Sequence, residues 1–401
     1  ATVSRRATHP TRDDIDLISG EFWGSDPHEQ MTWMRANAPV YWDGRAWAVT
    51  RHADVKAVSK DPATFSSAQG IRADADATPM LIDQDDPIHT KRRKLVSRGF
   101  TPRRVREQEE AVRRACDLIL DAVCERGECD LVTDVAAWLP MIMIGDALGV
   151  APADRAQLLA WSDALLSALT GRPEDMEAAG VAFGEYTAFA MATIADRRES
   201  PADDLMSILV HAEIDGERLT DDEVLFDSIL ILIGGDETTR HVISGGMYQL
   251  LSDPDQRARL AADRSLLPGA VEEMLRWVSP IKNMNRTATR DVELGGQVIG
   301  EGDPVLLLYP SANRDEDVFD DPFRFDIERS PNDHVAFGFG THFCMGASLA
   351  RMELACMVDH LLRRLPDLEL VTPDEPAFRP ANFVSGYEHL PVRFTPTAPL
   401  G

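Results

Sequence analysis

The chain has 401 residues, 44% of them apolar, and a formal net charge of −26; it is long enough to bury a sizeable core, and its charge argues against nucleic acid or an anionic membrane as partner. Ala1-Thr2-Val3-Ser4-Arg5-Arg6 lacks the apolar core of a signal peptide, and no stretch reads as apolar and charge-free enough to span a bilayer. The five cysteines (Cys116, Cys124, Cys129, Cys344, Cys356) are few and odd in number, which favours a reducing cytoplasm over a disulfide framework.

No Gly/Ser linker, low-complexity block or repeat divides the sequence, so one domain over 1–401 is expected, with residues 1–20 polar and extended or frayed. Residues 27–37 predict a short helix with Met31, Trp33 and Met34 inward. Val40-Tyr41-Trp42, Asp43-Gly44 and Ala46–Thr50 predict a β-hairpin with a two-residue turn. A helix over 52–60 should end at Pro62, and residues 66–85, with little periodicity, predict a long loop of the kind that is often functional. Asp86-Pro87 then opens a helix, Asp as N-cap and Pro at the first position. His89 and Arg93 lie four apart on one of its faces. The basic cluster Lys91, Arg92, Arg93, Lys94, Arg98, Arg103, Arg104 and Arg106 is either a solvated face or a docking patch for an acidic protein.

Residues 102–126 predict one long amphipathic helix ended by Gly127; 131–148, 153–170 and 174–198 predict three more. Phe183, Tyr186 and Phe189 share a side of the last, which reads as core packing. The longest helix is expected over 221–251, capped by Asp221 or Asp222. Leu225, Phe226, Ile229, Leu230, Ile231, Leu232 and Ile233 make it apolar nearly all round, so it should be buried. Its middle reads Gly234-Gly235-Asp236-Glu237-Thr238-Thr239. Each glycine costs a helix about 1 kcal/mol relative to Ala, and a buried Glu costs more unless paired. Such a conflict points to a functional kink; the alternative is a glycine-lined packing contact with a satisfied polar cap. Glu273 and Arg276 share a face of the helix at 268–277. Residues 292–308 alternate around Gly295-Gly296 and Gly300, predicting strands, and 390–396 predict another. The fold class is mainly α with a smaller antiparallel β part.

Phe337-Gly338-Phe339-Gly340-Thr341-His342-Phe343-Cys344-Met345-Gly346 is a glycine-rich loop before an amphipathic run, Leu349, Met352, Leu354, Ala355, Val358, Leu361 and Leu362. Cys344 therefore lies at or just before a helix N-terminus, where the macrodipole and free N–H groups favour a thiolate. Gly338, Gly340 and Gly346 let the backbone press against a flat group or turn with positive φ. A lone cysteine is more often a small buried hydrophobe. Zinc needs about four ligands, and His342-x-Cys344 has no neighbours to complete the set; a nucleophile needs a base, and spacing nominates none. A thiolate in a glycine collar suits an open axial position on a metal.

The ten-residue string resembles the haem-binding loop of the cytochrome P-450 family, Phe-x-x-Gly-x-x-x-Cys-x-Gly, with Met345 where Leu is common. Four further signatures of that family stand in order. They are the Asp86-Pro87-x-His89-x-x-x-Arg93 helix, Gly234-Gly235-x-Glu237-Thr238 (with Gly234 for the commoner Ala), Glu273-x-x-Arg276, and Phe319-x-x-Pro322-x-x-Phe325-Asp326-x-x-Arg329. The resemblance runs from the hairpin at 40 to the end. It implies the P-450 fold, with haem b between the long central helix and the cysteine loop. It implies Cys344 as axial iron ligand in a loop formed by Phe337, Gly338 and Gly346, and His89, Arg93, Arg286 and His342 binding the haem propionates. Glu273, Arg276 and Arg329 become structural supports, and 153–195 a lid. O2 is the implied co-substrate, with Thr238 hydrogen-bonding the oxygen being activated and Glu237 relaying protons to it.

These implications amount to a haem-thiolate monooxygenase. The sequence carries no second nucleotide loop and no iron–sulfur cysteine cluster, so a separate ferredoxin and ferredoxin reductase are expected, the ferredoxin docking on the cluster from Lys91 to Arg106. Ile71, Met80, Ile229, Ile233, Gly234, Val278, Ile281, Met284, Phe383 and Val384 are the candidates to line a distal pocket, which favours a hydrophobic substrate. The runs Ile231–His241, Arg379–Gly386 and Phe394-Thr395-Pro396 resemble the actinobacterial branch that hydroxylates the terminal carbon of the cholesterol side chain. That implies cholesterol or cholest-4-en-3-one as substrate. Departures from that branch, in 164–182 and at Asn285 and Tyr387, are where specificity could have moved. The alternatives are a tailoring hydroxylase of a polyketide or terpenoid and, in another class, a non-catalytic haem sensor, against which Glu237-Thr238 argues. A cytoplasmic monomer is expected.

Overall fold

The longest helix, Asp221–Ser252, is capped by Thr220 rather than by Asp221 or Asp222. Thr220 Oγ1 accepts from Glu223 N at 3.2 Å, and the Glu223 carboxylate accepts from Thr220 N at 2.8 Å. This reciprocal box satisfies two end donors at once. The computed structural model describes residues 8–168 and 172–401. The expectation for residues 1–7, the end of the helix expected over 153–170 and part of the 164–182 departure lie outside the described residues.

In chain order, α1 (Gly20–Gly24) and α2 (His28–Asn37) come first; Met31 and Met34 are buried, Trp33 only partly. β1 (Val40–Trp42) and β2 (Trp47–Val49) pair with Trp42 opposite Trp47, so the hairpin loop has four residues, not two. Asp43 Oδ1 holds it open by accepting from Arg45 N and Ala46 N, both at 2.8 Å. α3 (His52–Lys60), β3 (Phe65–Ser66) and α4 (Ile88–Val96) follow. Pro87 rather than Asp86 is the N-cap of α4; Asp86 Oδ1 instead accepts from Thr90 N at 3.1 Å.

The helix expected over 102–126 is two, α5 (Pro102–Glu107) and α6 (Glu109–Asp121). They part at Gln108, whose N–H donates to the Arg104 and Val105 carbonyls and tightens the last turn of α5. β4 (Glu128–Asp130) and a π-helical turn, Leu131–Ala136, lead into α7 (Trp138–Leu148), closed by Gly149 at φ 75°. Next are α8 (Arg155–Ser167), α9 (Pro173–Glu199), α10 (Leu205–His211), β5 (Glu213–Ile214) and β6 (Glu217–Arg218). The central helix is α11; α12 (Pro254–Ala262) and α13 (Leu267–Val278) follow it. β7 (Asn283–Ala288), β8 (Val292–Leu294), β9 (Gln297–Ile299), β10 (Pro304–Leu308), α14 (Tyr309–Ala312), α15 (Ala347–Arg364), β11 (Glu369–Leu370) and β12 (Pro391–Arg393) complete the order.

The larger sheet runs β1-β2-β10-β7-β3. Its β2–β10 pair is parallel while the others are antiparallel, because most of the helices lie between those two strands in sequence. α11 packs on α7, α8, α9, α13 and α15, so its apolar surface is covered from several sides. Close crossings explain two of its glycines: a Cβ at Gly245 would sit 2.7 Å from Val278 Cγ2, and one at Gly246 2.5 Å from Met274 Cγ.

Two segments reach the length and apolar composition of a membrane span, contrary to the sequence expectation: Leu131–Leu148, 67% buried inside the protein, and Pro173–Glu199, 28% buried. The first is a core segment, which meets the same composition test as a span because both are apolar. In the second, Tyr186 is fully buried while Phe183 and Met191 are exposed.

Glu353 lies in the buried face of α15. Burial pushes its carboxyl from the ordinary 4.5 up to about 8. The unfolded chain releases this proton near 4.5 and the folded chain keeps it, so this group destabilises the fold progressively as pH rises from there to about 8, with a slope of up to about 1.4 kcal/mol per pH unit. Glu353→Gln should flatten the pH dependence of the urea midpoint over that window; an unchanged profile would show that Glu353 does not carry it.

Candidate active site

Cys344 lies three residues before α15, in a loop held by its own backbone. Gly338 N donates to Val335 O (2.9 Å), Phe343 N to Gly340 O (3.1 Å) and Cys344 N to Phe337 O (3.0 Å). Gly338 and Gly340 turn at φ 72° and 73°, which other residues rarely adopt. A Cβ at Gly340 would also lie 2.3 Å from Ser59 O, and one at Gly346 would lie 3.9 Å from Cys344 Sγ. Burial pushes the Cys344 thiol up, against the Gly346 and Ala347 N–H groups and the charges of Arg93 and Arg351. Desolvation here works against the helix N-terminus, and a nearby positive charge such as a metal would favour the thiolate.

Beside this loop sits a group of bases drawn from three parts of the chain. α4 supplies His89 (2% exposed) and Arg93, β7 supplies Arg286 (5% exposed), and the loop supplies His342. The His89 and His342 rings stack with centroids 4.0 Å apart. Arg93 donates to the Phe343 carbonyl, and His342 Nε2 lies 3.2 Å from Ser67 Oγ. Burial, then the charges of Arg286, His89 and Arg93, pushes His342 down to about 2. Burial and Arg93 likewise push His89 down. Protonating the two histidines would set four positive charges against one another, and anions among them would relieve that repulsion.

α11 passes this region at its glycines. Gly234–Thr239 stay α-helical, so the expected kink is not an interruption of the helix. Gly235 is a packing contact, since its Cβ would lie 2.9 Å from Ile144 Cδ1, whereas Gly234 is exposed and its Cβ would meet nothing within 4 Å. An open space thus borders an otherwise buried helix at Gly234. Thr238 Oγ1 donates to Gly234 O at 2.8 Å. Glu237 is fully buried; its Oε1 accepts from Arg379, its Oε2 has no hydrogen-bond partner, and His241 Nε2 is 3.9 Å away. Among the described residues no hydrogen bond joins Glu237 to Thr238.

Asp236 faces the other way. It is fully buried and accepts from Ser162 Oγ (2.7 Å) and from Arg240 Nη2 (3.0 and 2.9 Å), while Arg240 Nη1 donates to Asp163 (2.9 Å). Burial pushes Asp236 up to about 6 despite Arg240 and Ser162. Sequence reasoning gave no role to Asp236, Arg240 or Arg379. The i,i+4 spacing of Asp236 and Arg240 was visible, but their partners on α8, and the reach of Arg379 to Glu237, are set by tertiary packing.

Glu273 is fully buried and accepts from Arg276 (Nε and Nη2, both 2.7 Å), Arg329 Nε (3.2 Å), Asn332 Nδ2 (3.1 Å) and Asp326 N (2.9 Å). Its neighbour Glu272, unremarked in the sequence, binds Arg351 (2.6 Å) and His334 (3.0 Å), and Arg351 lies 4.7 Å from the Phe337 ring centroid. Both acids therefore tie α13 to the segments that carry the cysteine loop.

Of the candidate pocket residues, Ile71, Met80, Ile233, Val278, Ile281, Met284 and Phe383 are half-buried. Ile229 and Val384 are each 2% exposed, Ile229 in the core and Val384 in a β-bridge to Ile281. Asn285 organises the long loop, donating from N to Ile71 O (2.7 Å) and from Nδ2 to Gly70 O (3.0 Å). Tyr387 is a core residue, stacked with Phe378 and bonded to Glu375 at 2.7 Å. Arg92 is corrected. It is 5% exposed and pairs with Asp227 at 2.7 Å, so it ties α4 to α11 instead of joining a surface patch. Arg103 pairs with Glu107 and Arg104 with Asp203. Lys91, Lys94, Arg98 and Arg106 remain exposed.

Comparison with known proteins decides the family. Residues 141–381 match the model of the family described as Cytochrome P450. A "Steroid C26-monooxygenase" of Mycobacterium tuberculosis is 54% identical over 97% of this chain and 99% of that protein. The chain belongs to the cytochrome P450 family. A Mycolicibacterium smegmatis protein of the same description is 52% identical to this P450, over 97% of this chain and 98% of that one. Among solved structures, Mycobacterium marinum cytochrome P450 CYP268A2 in complex with pseudoionone has a TM-score of 0.89 at 37% identity, covering 97% of this chain and 100% of that one. Bacillus megaterium CYP109E1 in complex with testosterone has a TM-score of 0.85 at 34% identity, covering 93% and 99%.

As a P450 the protein is a monooxygenase that uses haem b and O2, acts on a hydrophobic substrate and takes electrons from redox partners. The residues present fit a haem. The clustered bases suit its two carboxylates, the thiol suits its iron, and Gly234 borders space that a side chain would fill.

Proposed function

We propose that this P450 oxidises a terminal methyl group of a sterol side chain, with cholesterol or cholest-4-en-3-one as substrate. The observation that carries the proposal is the 54% identity, over 97% of the chain, to a protein described as a Steroid C26-monooxygenase. The apolar side chains of Ile71, Met80, Ile233, Val278, Ile281, Met284 and Phe383 suit a sterol's largely apolar surface. The 401 residues act as one catalytic domain, a monomer in the cytoplasm; all five cysteines are free, as in a reducing compartment.

Haem, when bound, supplies oxygen activation and insertion into a C–H bond. Cys344 holds its iron, with Phe337, Gly338 and Gly346 forming the loop around the sulfur. His89, Arg93, Arg286 and His342 receive its propionates. The Thr238 hydroxyl, bonded to Gly234 O, is a donor one helical turn from the open space at Gly234. Glu237 carries protons to the site from its free Oε2, once its hold by Arg379 is loosened. Glu273, Arg276 and Arg329 support the fold beneath and touch no reacting group.

Titrating the ferric holoprotein with cholest-4-en-3-one tests the substrate. A saturable low- to high-spin shift, followed by a terminally oxidised product on turnover, is expected. Absence of both would overturn the sterol reading. A response to methyl-branched lipids instead would favour a second reading, to which the 39% identical "Methyl-branched lipid omega-hydroxylase" of Mycobacterium tuberculosis points.

Electrons come from a ferredoxin and its reductase, the ferredoxin docking on Lys91, Lys94, Arg98 and Arg106. Lys94→Glu with Arg98→Glu should slow ferredoxin-driven turnover about ten-fold or more at low salt, with less effect at high salt. Unchanged turnover at low salt would remove the patch from the docking surface.

A further inference from the structure

A cluster on the α8 side of α11, with Ser162, Asp236 and Arg240 buried and Asp163 exposed, lies outside the residues assigned above to haem and substrate, yet it adjoins the proton-delivery pair. Asp236 is the residue directly before Glu237 and the second before Thr238. It occupies the one unspecified position of the Gly-Gly-x-Glu-Thr run, so nothing in that signature requires an acid there. Burying a carboxylate and a guanidinium is unfavourable unless every strong bond is made. Most are made here across two helices, with Arg240 Nε left unpartnered: Ser162 donates to Asp236, Arg240 clasps both Asp236 oxygens, and Arg240 reaches on to Asp163. Burial works against the Arg240 charge, but Asp236, Asp163 and Glu237 hold its pKa above the ordinary value. α8 ends at Ser167 and α9 begins at Pro173, and the two pack together beside α11.

We infer that Ser162, Asp163, Asp236 and Arg240 form a latch that fixes α8 to the turn of α11 carrying Glu237 and Thr238, so that movement of α8 on substrate entry and the setting of the proton-delivery pair are one event. The inference rests on the reading of Glu237 and Thr238 given above and of α8–α9 as the cover of the site. Asp236 is a positioning residue: it acts through its neighbours in the chain and touches no reacting group.

The test uses the haem-loaded protein, with Asp163→Asn and with Ser162→Ala/Asp163→Asn, substitutions confined to α8. Amide hydrogen exchange is followed over 155–167 and over 236–242, without and with cholest-4-en-3-one. The fraction of consumed O2 recovered as hydrogen peroxide is measured during turnover with a ferredoxin and its reductase. Losing bonds to charged groups should raise exchange over 155–167 about ten-fold. The latch further requires that exchange over 236–242 rise too, and that the peroxide fraction rise at saturating substrate. Adding the double substitution to Thr238→Ala should then raise the peroxide fraction no further.

Faster exchange in α8 with 236–242 and the peroxide fraction unchanged would reduce the cluster to a structural contact and overturn the inference. So would unchanged exchange in both segments. If Thr238→Ala alone left the peroxide fraction at the wild-type value, the reading of the pair would fail by itself. The exchange at 236–242 would still decide whether α8 is coupled to α11. Asp163→Asn alone, which leaves Asp236 paired with Arg240, keeps the test usable if the double variant folds poorly.

Discussion

Glu273→Ala should cost about 3–5 kcal/mol of stability, a large part of the about 5–15 kcal/mol typical of a folded protein. The reason is local. Arg276 is fully buried and Arg329 nearly so, and both spend their charge on the Glu273 carboxylate. Removing it leaves two guanidiniums, the Asn332 amide and the Asp326 N–H without that acceptor. Such groups lose solvation on folding and regain less than they gave up. The urea midpoint should fall sharply, and haem should be retained poorly, because Arg329 and Asn332 precede the cysteine loop by only a few residues. Glu273→Gln, which preserves the shape but not the charge, should give an intermediate loss. A midpoint equal to wild type in the alanine variant would mean that the arginines find other acceptors, and the hub would lose its assigned weight.

Thr238→Ala should leave O2 consumption largely intact while product formation falls, the difference appearing as hydrogen peroxide. On the proposed reading the Thr238 hydroxyl directs protons to the open space at Gly234, and its loss would release oxygen as peroxide. Glu237→Gln should slow turnover about 10²-fold or more, as expected for removal of a proton-transfer group, with a raised solvent isotope effect. Arg379→Met separates the two duties of Glu237: it releases the carboxylate from its ion pair and leaves the acid present. Oxygen use and coupling unchanged in Thr238→Ala would sink the proton-delivery role and return the sensor reading to consideration.

The candidate site was legible where the chemistry lies within one stretch of chain. The cysteine loop, the i,i+4 pair His89/Arg93 and the Glu273/Arg276 pair each show their geometry in spacing, because one turn of helix or one tight loop fixes it. The Gly234-Gly235 pair of α11 was legible as an anomaly but not as a division of labour. Gly235 lies against Ile144 and Gly234 against open space, and only the neighbouring helix distinguishes them. Arg92 read as surface charge because sequence does not show that Asp227 waits across the interface. The hairpin loop and the start of α11 moved by a residue or two, since competing side-chain acceptors such as Asp43 and Thr220 settle where a turn closes, whereas α6 ends at Asp121 where 126 was expected.

By itself the sequence determined the family, the helix-rich class, the central helix and the identity of the thiol, because these depend on local periodicity and on five strings in a fixed order. The tertiary structure decided which buried charges meet. Glu237 faces Arg379, Asp236 faces α8 through Ser162 and Arg240, and the four bases converge from α4, β7 and the cysteine loop. A carboxylate inside a protein is stable only beside particular donors. Those donors come from segments up to 142 residues away in the chain, a separation at which spacing carries no information about contact.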